Sequence, residues 1–167
     1  MKLEFSSAFL LVSLAFVGCA RKEVLRTSEL KITQAVALPY AFTSGGLSVN
    51  VTGAELNKVA SAWNSTLTGK LEANEKWLLV STTVYEKEGK DKEMDWRLFM
   101  QVINASGVKL GPVHLLRSRM ISYQPLQYQL SINEREDTKI CFRLKEGDFP
   151  IKLSFADGRE TGPIGWQ

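Results

Sequence analysis

The groups able to do chemistry in this 167-residue chain are few. They are one imidazole (His114), two thiols (Cys19 and Cys141) and scattered hydroxyls and carboxylates. A Ser-His-Asp or Cys-His hydrolase needs an imidazole that moves a proton near neutral pH. In GPVHLLRSRM, His114 sits between Val113 and Leu115 and alternates away from both, as a partly exposed strand residue does. Ser118 and Ser122 follow it, but no Gly-x-Ser-x-Gly elbow frames either. A zinc site wants several Cys or His ligands. DKEMD (Asp91 to Asp95) and NEREDT (Asn133 to Thr138) are acidic, yet neither has the oxygen spacing and central glycine of a calcium loop. No glycine-rich phosphate cradle occurs. The expectation is therefore a chain with no catalytic, metal or cofactor residues, and not an enzyme.

Cys19 is different because of what precedes it. Phe5 to Val17 is apolar apart from Ser6, Ser7 and Ser13, follows Lys2, and ends in small residues. A bilayer-spanning helix needs about 20 apolar residues, so this run of roughly 13 reads as a secretory signal with n-region, h-region and cleavage site. Leu14-Ala15-Phe16-Val17-Gly18-Cys19 resembles the lipobox of bacterial lipoproteins, with Phe16 in place of the usual Leu as in the relaxed, spirochaete-type form. That resemblance implies acylation of Cys19, palmitate among the chains, and a mature protein beginning there. Gly18-Cys19-Ala20 also fits simple cleavage after Ala20. Two or more acyl chains hold a protein stably to a bilayer, because each buried methylene contributes about 0.8 kcal/mol. The partner implied at this end is the lipid bilayer, through Cys19, and the address is the bacterial cell envelope. Ala20 carries no retention aspartate, which points to the outer membrane.

The expected organisation is a signal peptide over 1–18, a lipidated tether over 19–28 and one domain over 29–167. Composition is that of a globular body, 44% hydrophobic and 23% charged. A domain of roughly 150 residues buries about 70% of the surface of its unfolded chain, enough for a single core. After acylation Cys141 is the remaining thiol, so no internal disulfide is available. The formal charge of +3 is too small for a nucleic-acid partner.

Short runs of period two dominate the body. LKITQAVAL (Leu30 to Leu38) and LSVNV (Leu47 to Val51) read as strands bounded by turn residues. KWLLVSTTVYE (Lys76 to Glu86) places Leu78, Val80, Thr82 and Val84 on one face. WRLFMQVIN (Trp96 to Asn104) reads as a central strand, and the charged EKEGKDKEMD before it as a solvated hairpin loop. SINERE carries Ile132 into a polar turn. TKICFRL turns Ile140, Phe142 and Leu144 inward and Cys141 away from them, while PIKLSF puts Ile151, Leu153 and Phe155 on one face. In TGAELNKVASAWNSTL, Leu56, Val59, Ala60 and Trp63 recur at helical spacing behind a Thr52/Glu55 cap, which predicts one short helix. The sum is an all-β antiparallel sandwich with at most one short helix.

NEKWLLVSTTVYEKEGKDKEMDWRLFMQVINASGVKLGP and EREDTKICFRLKEGDFPIKLSF resemble the immunoglobulin-like, telokin-like domains attached to bacterial lipoproteins and surface proteins. Phe99, Gly107, Lys109, Pro112, Phe142, Leu153 and Phe155 carry the likeness, over roughly residues 67–157. It implies an immunoglobulin-like fold and an extracytoplasmic setting, and no reaction. The function expected is a non-catalytic binding or envelope-structural module with an envelope protein as partner. The alternative is a secreted or periplasmic enzyme accessory or assembly factor with an unrecognised cleft. ISYQPLQYQL (Ile121 to Leu130) supplies the candidate contact residues Tyr123 and Tyr128, since tyrosine suits surfaces apolar on one side and wet on the other. The competing reading of the same stretch packs both rings under the loops.

Overall fold

Among the described residues twelve strands, one α-helical turn and one 3-10 turn (Glu146–Asp148) follow one another in chain order. They are β1 (Tyr40–Ser44), β2 (Leu47–Asn57), β3 (Ala60–Ala62), β4 (Ser65–Leu67), β5 (Glu75–Glu86), β6 (Lys92–Asp95), α1 (Trp96–Phe99), β7 (Met100–Ile103), β8 (Lys109–Leu110), β9 (His114–Arg117), β10 (Gln127–Leu130), β11 (Arg135–Lys145) and β12 (Lys152–Phe155). This computed structural model describes residues 35–62, 65–67, 71–117 and 125–165. The signal peptide, the tether with Cys19, residues 30–34 of the first expected strand, Trp63, Ser118, Ser122 and Tyr123 lie outside them. Among the described residues no helix is long and apolar enough to cross a membrane.

Five strands in the order β1-β2-β5-β11-β9 make the larger sheet, antiparallel throughout. A three-stranded sheet, β12-β7-β8, and a two-stranded ladder, β10-β6, supply the other layer. Between them lies the main core. Val49, Leu78, Val80, Val84, Ile140, Phe142 and Leu144 come from the large sheet, and Met94, Met100, Val102, Leu130, Leu153 and Phe155 from the opposite side. Phe142, Leu153 and Phe155, three carriers of the family likeness, are among them. The expected strands over 76–86, 138–144 and 150–155 are present because their alternation matches this burial.

The other face of the large sheet is not simply solvated. Trp77, Leu79, Leu116 and Cys141 form a second buried cluster with Ala60, and β3 packs against β9 and β11. β5 and β11 are thus apolar on both faces along part of their length, as strands covered on two sides must be.

Four expectations change. The helix expected after Thr52 is strand: β2 continues to Asn57, with a bulge between Val51 and Gly53, and pairs β5 from Ala54↔Val80 to Asn57↔Trp77. Leu56 packs against the main core, Ala60 enters the second cluster, and Val59 is 52% exposed. The helical spacing therefore spans different surfaces of a sheet. Over 96–99 the expected strand is instead α1. The Trp96 amide donates to the carbonyl of Leu126 at 3.0 Å, the Asp95 carboxylate accepts the Arg97 amide at 3.0 Å, and one helical turn carries Trp96 and Phe99, three residues apart, into the core together. The strand resumes as β7.

The charged stretch 86–95 is loop only over its first half. β6 takes Lys92–Asp95, pairs β10 and buries Met94 completely. Finally, residues 35–38 form no strand. Val36 makes a single bridge to Thr161, and Val36 and Leu38 pack on the core edge without a ladder. The first strand among the described residues is β1, after Pro39, joined to β2 by Gly45 and Gly46, both at positive φ as a two-residue hairpin turn requires.

Candidate functional site

The residue types that could do chemistry are now placed. Ladder register sets His114 directly opposite Cys141, the juxtaposition a thiol nucleophile would need. The thiol is fully buried, Sγ donates to the Lys139 carbonyl at 3.8 Å, and burial pushes its pKa up to about 12. A nucleophilic cysteine needs the opposite shift, toward thiolate. His114 is half-buried with its ring 5.9 Å from that of Trp77, and burial lowers its pKa. The pair as folded is a packed strand pair rather than an activated dyad. The alternation that turned Cys141 away from Ile140 and Phe142 matches this placement, and the second cluster covers the thiol there.

The acidic stretches are used locally. An oxygen of Asp91 accepts the Ile132 amide at 3.1 Å, Glu134 accepts the Ser131 amide at 3.0 Å, and Asp137 accepts the Thr83 hydroxyl at 2.6 Å. Glu86, buried at the end of β5, accepts the amides of Glu88 and Gly89 and so braces the loop that leads to β6. Its pKa is lowered: burial opposes the shift, and the surrounding backbone amides overcome it. Among the described residues no three His, Cys, Asp or Glu side chains converge as metal ligands.

Of the two tyrosines expected to meet a partner, Tyr128 is described. It sits in β10 opposite Met94 of β6, and alternation sends Gln127 and Gln129 outward while Tyr128 and Leu130 turn toward the core. An open cleft of about 420 Å³ lies over this strand, lined by Glu93, Gln127, Tyr128 and Gln129. The tyrosine's hydroxyl, however, is buried, with the Trp96 indole beside it. The guanidinium of Arg117 stacks on the ring, 4.1 Å from its centroid, and Arg117 Nε donates to Glu136 Oε1 at 2.5 Å. Burial first, and the Glu136 charge second, raise the Tyr128 pKa, so the phenol stays protonated.

Arg117 and Glu136 escaped the sequence reading although a signal was present. Glu136 lies two and four residues before Thr138 and Ile140, on the inward face of β11, and Arg117 lies two after the inward Leu115. A charge on the inward side of an alternating strand marks a buried pair.

No family model and no curated protein matches the chain. Solved structures do match in shape. An uncharacterised β-sandwich protein of Clostridium difficile aligns with TM-score 0.56 at 11% identity, over 76% of this chain and 90% of that one. A conserved hypothetical protein of Bacillus anthracis aligns with TM-score 0.52 at 9% identity, over 78% and 94%. The fold is a β-sandwich. At these identities the likeness speaks for the fold alone.

Proposed function

We propose that this chain is a bacterial lipoprotein, held in the cell envelope at the outer membrane by acylated Cys19, whose sandwich is a non-catalytic module for binding an envelope protein or building envelope structure. The observation that carries the proposal is the placement of Cys19 behind Leu14-Ala15-Phe16-Val17-Gly18 at the end of a short apolar run. The β-sandwich body fits it, because such a fold presents loops and strand edges that recognise partners without chemistry. β1 and β9 are the edges of the large sheet, and the cleft over β10 beside Tyr128 is the candidate contact surface. The immunoglobulin-like, telokin-like kinship belongs to the same proposal.

Metabolic labelling with a fatty-acid analogue tests the anchor. Label in the wild-type chain and none in a Cys19→Ala variant is the expected result; equal label, or none in either, rejects it. Affinity capture from intact envelopes, combined with protease shaving, tests the module. A specific envelope protein co-purifying with the wild type and lost when Gln127 and Gln129 become Ala supports the β10 surface. Capture unchanged by those substitutions moves the contact elsewhere.

A further inference from the structure

β2 is an eleven-residue strand with a five-residue neighbour on one side. β1 pairs it from Leu47 to Val51 and goes no further. The chain before Tyr40 crosses to the other layer, where Val36 bridges to Thr161 and the Thr161 amide donates to the carbonyl of Leu153 in β12. On its other side β2 continues against β5 as far as Asn57. Antiparallel alternation fixes which groups this overhang leaves open. The Lys87 amide donates to the Gly46 carbonyl and the Glu86 amide to the Glu134 carbonyl, so odd-numbered residues of β5 address β2 and even-numbered ones address β11. Gly53, Glu55 and Asn57 stand opposite Ser81, Leu79 and Trp77 and engage β5, whereas Ala54 and Leu56 turn their amides and carbonyls to the open side. Among the described residues no strand pairs that edge beyond Val51.

An open edge of this kind is a template for an extended segment of another chain. Beside it the two layers part in an open cleft of about 540 Å³, with Ala54, Glu55 and Leu56 on one side and Pro163 and Ile164 on the other. Leu56 and Ile164 lie partly buried on the margin of the main core, an apolar seat for side chains that an added strand turns inward. Charge decides the occupant. Two copies pairing so that Ala54 and Leu56 of each meet Leu56 and Ala54 of the other would set Glu55 directly opposite its own copy, and like charges so placed are destabilising. Glu55 lies on the outer face with its side chain 47% exposed and Lys139 at 2.7 Å. A foreign strand with lysine or arginine at that place is attracted instead. We infer that the open half of β2 binds an extended segment of a partner protein as an added antiparallel strand, with lysine or arginine opposite Glu55 and an apolar residue on either side of it facing the cleft. This surface is separate from the cleft over β10, and the inference rests on the reading of the body as a protein-binding module.

The test uses a short end-blocked peptide with valine at alternate positions, lysine at the centre and threonine at the other outward places. It is titrated into the full chain while amide hydrogen exchange is followed by NMR. At saturation the amides of Ala54 and Leu56 should exchange about tenfold more slowly. N-methylation of the two valines beside the lysine should abolish the effect, and so should Ala54→Pro, which removes an outward amide and leaves the β5 ladder intact. Glutamate in place of the peptide's lysine should bind the wild type several-fold more weakly, and Glu55→Lys should reverse that preference. No slowing by the peptide, or slowing that survives N-methylation, overturns the inference. So does slow exchange of both amides before any peptide is added, whether a second copy or the rest of the chain covers them. An envelope protein captured equally by wild type and Ala54→Pro removes the added strand and leaves the binding module standing, whereas capture of nothing by the wild type rejects the module itself.

Discussion

Leu98 and Phe99 are neighbours whose truncations should differ by several kcal/mol, and the difference rests on α1. In an extended strand Trp96 and Leu98 would share a face. In the helical turn Trp96 and Phe99 share it, with their rings 6.2 Å apart, and Leu98 points away, 74% exposed. Full burial of a leucine side chain contributes about 1.5–3 kcal/mol, so the quarter that Leu98 has buried limits the cost of Leu98→Ala to roughly 0.5 kcal/mol. Phe99 is 8% exposed, and Phe99→Ala removes a ring from a packed core at about 3–5 kcal/mol. For a domain of this size about 1 kcal/mol corresponds to 2–4 °C or slightly more in Tm. Phe99→Ala should therefore lower Tm by about 10 °C and Leu98→Ala by no more than about 2 °C. Urea unfolding of the two variants and the wild type, with the slope checked for constancy, measures both. A cost above about 2 kcal/mol for Leu98→Ala would mean that the segment is a strand and that the turn is wrong.

Asp95→Ala should destabilise by about 1 kcal/mol through loss of the α1 cap, read by the same unfolding curves, while Asp95→Asn retains most of it. Cys141, with its pKa raised to about 12 by burial, should stay unreactive toward an aromatic disulfide reagent at pH 8 in the folded protein. It should react at the rate of unfolding in urea, and prompt labelling of the native thiol would contradict the packing of the second cluster. Glu75, nearly buried, accepts from Arg143 at 2.5 Å and lies 3.8 Å from Lys145, and the Arg143 hydrogen bond, then the Glu72 amide, lowers its pKa. A carboxylate depressed by folding stabilises above its unfolded pKa, about 4.3, and loses that contribution as pH falls through the lower folded value. The Tm gap between wild type and Glu75→Gln should accordingly be widest near neutral pH and shrink in acid; a gap that grows in acid would reverse the assignment.

The strands legible in the sequence were those whose alternation meets the core directly. Ile140, Phe142 and Leu144, or Ile151, Leu153 and Phe155, are apolar every second residue and buried in that order. Legibility failed where an apolar residue serves a different surface from its neighbours. Leu56 and Ala60 belong to separate clusters, so their spacing imitated a helix. Trp96 and Phe99 belong to the same one, so a turn of helix hid inside an apolar run. Met94 is a single buried side chain among charges, too little to reveal β6. At the candidate site the packed ring of Tyr128 matches the competing reading of its stretch, whereas the charged pair beside it was not read. Trp96, Arg117 and Glu136, which lie beside it, come from separate segments of the sequence and meet only through the fold.

Intact-mass analysis of the protein extracted from membranes of its host addresses the proposed anchor at its covalent origin. The account predicts a chain that begins at Cys19 and carries the added mass of a diacylglyceryl thioether. An unmodified chain beginning at Arg21, or one retaining residues 1–18, would contradict it.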